Sequence, residues 1–223
     1  MAKERDIEME QEIDEILKFG KSSSERSGIE TITIIGQIEG HYMLPEGQKA
    51  TKYEHLIPLL VSAEENPEVK GVLIILNTMG GDVEAGLALS EMIASMSKPT
   101  VTLCLGGGHS IGVPLSVSGK KTFIVPSATM TLHPVRISGT VVGAPQTYTY
   151  FSDMQKRIVE FICRNSRANR DEINKMMLRA DMIATDVGTI LEGREAVECG
   201  LIDEIGGLDR ALGALREMMG ENK

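Results

Sequence analysis

Along this chain, apolar residues gather in short blocks separated by glycine, proline and charge. Thr31 to Gly36 (TITIIG) is a β-branched run, and Leu56 to Ala63 is apolar over a helical length. Lys70 to Asn77 (KGVLIILN) is a continuous apolar run, the pattern of a strand buried on both faces. The turn Met79-Gly80-Gly81-Asp82 follows, then a helix through Met96 carrying Leu87, Met92, Ile93 and Met96, broken by Pro99. Thr100 to Leu105 predicts a second buried strand. The turn GGGHS comes next, and then a helix to about Val117. Two short strands fit Thr122 to Val125 and Thr129 to Leu132.

Strand, glycine turn and helix thus occur twice, about thirty residues apart, which predicts an α/β fold with a mainly parallel sheet. Pro145 to Arg167 reads as one long helix with Met154, Ile158, Phe161 and Ile162 on one face, and a further helix fits Arg170 to Leu178. The end, EAVECGLIDEIGGLDRALGAL, predicts helix, a stop at Gly200, short strand, GG turn and final helix. At the other end, Met9, Ile13, Ile16 and Leu17 share a helical stripe in a segment with seven acidic and three basic residues among its first twenty. That segment suits a solvated helix or a docking element. Gly20 to Gly28 (GKSSSERSG) has linker composition. The expected division is residues 1–28, an acidic helix and linker, and residues 29–223, one globular domain.

Composition narrows the function. The 223 residues carry a net charge of -9, so nucleic acid and anionic membranes are poor partners. The three cysteines form no CxxC, which predicts buried thiols in a reducing compartment. No stretch has the length and apolarity of a signal peptide or membrane span. A cytoplasmic protein is expected, with no cofactor and no metal.

The candidate chemistry sits at the two glycine turns. Ser110 follows Gly106, Gly107, Gly108 and His109, and Gly112 comes after it. A serine at a tight strand-to-helix turn exposes its hydroxyl near backbone N–H groups, although a plain N-cap has the same pattern. The Gly80-Gly81 turn could lend bare amides to an oxyanion, or simply close a strand–helix junction; its spacing fits neither common nucleotide loop. A serine nucleophile needs a neighbouring base. His109 is adjacent, and neighbouring side chains diverge at a turn. His133 ends a short strand before Pro134, as a surface turn histidine also would. His41 and His55 have no partner motif.

The run LGGGHSIGVPLSVSGKKTFIVPSATMTLHP resembles the nucleophile-to-histidine stretch of the ClpP family, the proteolytic subunits of Clp proteases. NTMGGDVEAGLAL, GQIE…AEENPEVKGVLIILN and EAVECGLIDEIGG are similar to further segments of that family in the same order. The resemblance covers roughly Ile32 to Gly207. It implies a ClpP/crotonase-like fold of repeated β-β-α units with a long handle helix. It implies a serine endopeptidase that hydrolyses peptides or unfolded proteins through an acyl-enzyme. Ser110 would be the nucleophile, His133 the base, and the N–H groups of Gly81 and Ile111 the oxyanion donors. Asp82, Val83, Val135 and Arg136 would flank an extended peptide. Homo-oligomeric rings, heptamers or stacked heptamers, are implied as well.

Four departures stand out. The family's third catalytic residue, an Asp, falls on Gly188, so Asp186 is the expected orienting carboxylate, with Asp181 further upstream. His109 replaces a small residue, and MLPEGQKATKYEHL is inserted after the first strand. The acidic N-terminus is unlike the apolar loop that meets a Clp ATPase, so such a partner is left open. These features resemble the ClpP-like branch of translocation-enhancing proteins, with a link to protein export or quality control. Two alternatives remain: a catalytically impaired binding assembly of the same fold, and a crotonase-like acyl-CoA enzyme, for which Asp82 is the one acid beside a glycine turn.

Overall fold

The computed structural model describes residues 21–24, 28–136, 142–181 and 187–220. The expected N-terminal helix and Asp186 lie outside the described residues. Strands β1 (Lys21–Ser24), β2 (Ile29–Glu39), β4 (Gly71–Gly81), β5 (Thr100–Gly108), β6 (Lys121–Ile124) and β9 (Glu204–Ile205) stand side by side in that order. From β2 to β9 all neighbours are parallel, and β1 is antiparallel to β2. Strand β3 (Ala50–Lys52) pairs with β2, while β7 (Thr129–Leu132) pairs with the end of β5 and with β8 (Thr189–Glu192). Helices α1 (Tyr53–Glu65), α2 (Val83–Ser95) and α3 (Gly112–Val117) make the crossovers, as parallel pairing requires. This is the repeated strand–turn–helix architecture that the resemblance implies.

Both faces of the sheet are covered, which explains the unbroken apolar run in β4. Val72, Ile74 and Leu76 join the main core under α1 and α2. Leu73 points the other way, into a smaller core with Val101, Leu103, Phe123 and the α7 residues Ala211 and Leu215 (α7, Leu208–Met218). A period of two along a strand buried on both sides leaves no polar position. The buried hydroxyl of Thr102 on β5 donates to Ser116 O at 2.6 Å.

Helix α4 (Ala144–Arg164) is the long handle. Pro145 starts it, where a missing N–H costs nothing. It ends at Arg164, three residues before the expected limit of Arg167, and the side chain of the C-cap Asn165 donates back to Phe161 O at 2.9 Å. Met154, Ile158, Val159, Phe161 and Ile162 are buried, whereas Tyr148 and Tyr150 near the start stand exposed. Arg157 and Arg164 reach Glu84 and Glu91 on α2 at 2.5 and 2.6 Å. Such exposed pairs guide register more than they stabilise. Helices α5 (Arg170–Met177) and α6 (Gly193–Glu198) complete the described fold. Among the described residues no helix is long and apolar enough to cross a membrane.

Three features differ from the sequence-based expectation. Lys21–Ser24, placed in a linker, is a strand paired in register Lys21 to Ile32 through Ser24 to Ile29; serine-rich composition hid its β2 partner. Strands β3 and β8 were not anticipated, being four residues or fewer with no apolar run. Finally, Gly80–Gly81 and Gly106–Gly108 are the ends of strands rather than free turns.

Phe123 is 2% exposed and wedged between the sheet and the GG turn before α7. Phe123→Ala is expected to cost about 3–5 kcal/mol. Urea unfolding at fixed protein concentration measures it, and a loss below about 1 kcal/mol would show that this second core is loosely packed.

Candidate active site

The ends of β4 and β5 are brought together by side chains of β4. Asn77 Oδ1 accepts from Gly107 N at 2.9 Å. Thr78 Oγ1 donates to Gly36 O at 2.6 Å and accepts from Gly80 N at 3.0 Å, while its carbonyl accepts from His109 N at 3.1 Å. Two neighbouring residues thus fix both glycine segments. At Gly80 (φ 91°) a Cβ would stand 2.6 Å from Ser110 Cβ, so only glycine admits the serine this close.

Ser110 itself has φ 59° and is the one non-glycine residue with positive φ among the described residues. Holding a serine there costs on the order of 1–3 kcal/mol. Its N–H donates to Thr131 O at 2.8 Å, tying the turn to β7, and its carbonyl accepts from Val113 N at 3.0 Å. His109 Nδ1 lies 2.8 Å from Thr131 Oγ1. The two side chains diverge as the turn geometry predicts: His109 packs over Gly107, whereas Ser110 lines a cleft.

That cleft, of about 240 Å³, brings together Ser110, His133, Gly81, Ile111, Val83, Val135 and Arg136, residues singled out from the sequence. His133 follows β7 directly, two residues past the Thr131 that holds Ser110 N–H. Its Nδ1 is 2.7 Å from Pro134 O. A carbonyl oxygen only accepts, so Nδ1 carries the proton and Nε2 presents its lone pair.

The Asp82 carboxylate caps α2, accepting from Ala85 N at 2.9 Å. Its own N–H and C=O are bound to Ile38 O and Gly86 N, so Asp82 also holds the helix start in place. The Val135 N–H donates to Gln155 Oε1 at 2.8 Å. Gly188 (φ 140°) lies directly against His133: a Cβ there would meet Leu132 O at 2.4 Å and His133 Cβ at 2.9 Å. No side chain fits at this position. Asp181 is paired with Arg179 at 2.7 Å, which holds its carboxyl below the usual range.

The apolar lining was not singled out as functional. Met79, Val113, Leu132, Ile158 and Met177 form it. Ile158 and Met177 looked like ordinary stripe positions of α4 and α5. The available signal was their place on the helices that follow the histidine segment.

Residues 26–208 match the Clp protease family. The chain is 51% identical over 210 residues, 93% of its length and 82% of the relative's, to the translocation-enhancing protein TepA of Halalkalibacterium halodurans. It is 29% identical to the ATP-dependent Clp protease proteolytic subunit of Lactococcus lactis subsp. lactis, over 66% of this chain and 72% of that one. The subsp. cremoris counterpart is 28% identical over the same shares. With the family match spanning nearly all of the sheet and the serine cleft, this chain belongs to the Clp protease family.

Proposed function

We propose that the protein is a serine peptidase that cuts peptides or unfolded polypeptides through an acyl-enzyme. The observation that carries this reading is Ser110: a serine held at positive φ, pressed onto Gly80, in one cleft with an imidazole whose Nε2 is free to accept a proton. Strain at a non-glycine residue is kept where the position of its side chain matters.

In this reading Ser110 Oγ attacks the peptide carbonyl carbon while His133 Nε2 takes the hydroxyl proton. The carbonyl electron pair moves to oxygen, facing the N–H groups of Gly81 and Ile111. The C–N bond then breaks, and His133 gives its proton to the departing amine. A water attacks the ester, again losing its proton to His133, and Ser110 leaves with that proton restored. Arg136 and Val83 flank the bound peptide, and the apolar lining receives one side chain. Family membership supports homo-oligomeric rings, seven-membered or stacked, that would enclose the clefts. Three free cysteines suit a cytoplasmic setting, and burial pushes the Cys104 thiol up to about 11, which leaves it inert. A link to protein export rests on the name of the 51%-identical relative alone.

One observation favours a second reading, a binding assembly with weak chemistry. Among the described residues no carboxylate bonds His133, and Gly188 occupies the place of the family's acid.

His109 bears on the turn's stability. Burial, aided by the nearby His133, pushes its imidazole below the ordinary histidine value. The native state therefore prefers the neutral ring, and the unfolded chain binds more protons once pH falls through about 6.5. Stability from this site is present at neutral pH and declines from there downward. The neutral ring also leaves His133 unopposed when it takes the serine proton.

Three outcomes are expected. Fluorophosphonate labels Ser110 in the assembled protein; Ser110→Ala removes the label, and His133→Ala slows it by about 10³-fold or more. An unlabelled wild type sinks the peptidase reading, and a phenotype untouched by Ser110→Ala supports the binding assembly. Gly188→Asp, instead of completing a triad, displaces His133 and lowers both labelling rate and Tm; faster labelling would contradict the packing at Gly188. His109→Asn, which keeps a polar partner for Thr131, loses less Tm between about pH 7 and 5 than the wild type. Equal losses would show that His109 is not the titrating group.

A further inference from the structure

Gln155 is a polar residue on the buried stripe of α4, one turn before Ile158, and its side chain is fully engaged. Its Oε1 accepts from Val135 N at 2.8 Å, and its Nε2 faces Met177 Sδ at 2.6 Å. The reversed amide would set NH2 against an N–H donor, so the Val135 bond fixes the orientation.

The bond gains meaning from the peptide unit it belongs to. Val135 N–H and Pro134 C=O are the two ends of one planar peptide. That peptide is trans, as there are no cis bonds among the described residues, so the two groups point in opposite directions. Gln155 holds the N–H end. His133 Nδ1 holds the C=O end, at 2.7 Å. Residues 133–136 belong to no helix or strand, so this plane has no ladder to orient it. Gln155 sets its rotation, and the plane sets the imidazole. A hydrogen bond accepted from the N–H also polarises the carbonyl, making it a better acceptor for Nδ1–H when the ring becomes an imidazolium. Gly188 lies against His133, where a Cβ would meet the Leu132 carbonyl and His133 Cβ.

We propose that Gln155 is the positioning residue of the base, acting through the Pro134–Val135 peptide in the role that a carboxylate has in a serine–histidine–aspartate triad. The proposal rests on the reading of His133 as base. Without the Gln155 oxygen, the peptide turns, the Nδ1–H tautomer loses its partner, and Nε2 no longer reliably keeps the lone pair that accepts a proton.

The test uses full-length assembled protein in three forms: wild type, Gln155→Leu, which removes the acceptor, and Gln155→Glu, which keeps one. In Gln155→Leu, hydrogen exchange at residues 134–136 rises by at least about tenfold. Fluorophosphonate labelling of Ser110 slows by at least about tenfold in the same variant, and in peptide hydrolysis kcat falls while KM holds. Solid-state NMR of ¹⁵N-histidine protein shows His133 as the Nδ1–H tautomer in the wild type and a tautomer mixture in Gln155→Leu. Gln155→Glu stays near the wild type in every readout, and all three melt within a few degrees of one another. A wild-type tautomer and labelling rate in Gln155→Leu overturns the proposal and leaves the peptidase reading intact. Faster exchange with unchanged labelling reduces Gln155 to a structural tether and also overturns it. If the wild type takes no label but the tautomer still depends on Gln155, the positioning stands and the peptidase reading fails.

Discussion

The whole site depends on a backbone approach that only glycine permits. Strands β4 and β5 converge until Gly80 touches the Cβ of Ser110 and Gly106 abuts the Asn77 amide. Thr78 and Asn77 bridge the gap with one hydroxyl and one amide, and Thr131 anchors the serine from the far side. The serine's strained φ is the residue of this convergence. Relaxing it would require one of these bonds to break, and the one from Gly80 N to Thr78 Oγ1 is buried, where a lost partner costs about 1–3 kcal/mol.

Much of this was legible from the chain. The unbroken run of β4 announced burial on both faces, and the doubled strand–glycine–helix pattern announced parallel pairing. Glycines before a helix and a histidine closing a strand made Ser110 and His133 candidates, and the family resemblance gave them their expected roles. What the sequence concealed was which partner each polar group takes. Asp82 carries a charge and sits beside a glycine turn, and its carboxylate caps the helix that begins at the next residue. Val135 N–H is a generic donor until Gln155, twenty residues later, comes within 2.8 Å. Lys21–Ser24 has linker composition and pairs because β2 presents an open edge. Local pattern reports on burial; hydrogen-bond partners at long sequence separation are a property of the folded chain.

If His133 is the base, as proposed, its partner among the described residues is a carbonyl and not a carboxylate. A carboxylate both fixes the tautomer and answers the positive charge that forms on the ring. The Pro134 carbonyl fixes the tautomer just as well, but a neutral dipole stabilises an imidazolium less than an anion does. Its proximity in sequence makes up part of the difference, since a partner one residue away is held without ordering a distant loop. The long handle is meanwhile drawn into the site: α4 supplies Ile158 to the cleft wall and the amide behind the base, with two ion pairs to α2 keeping its register.

The glycine at 188 has a historical consequence. Because the Leu132 carbonyl and the flank of His133 fill the volume where a first side-chain carbon would stand, no single codon change can install an acid there without moving the backbone. Any lineage that gains a side chain at this position must also shift the Leu132–His133 backbone, so change elsewhere in the cleft is the shorter route.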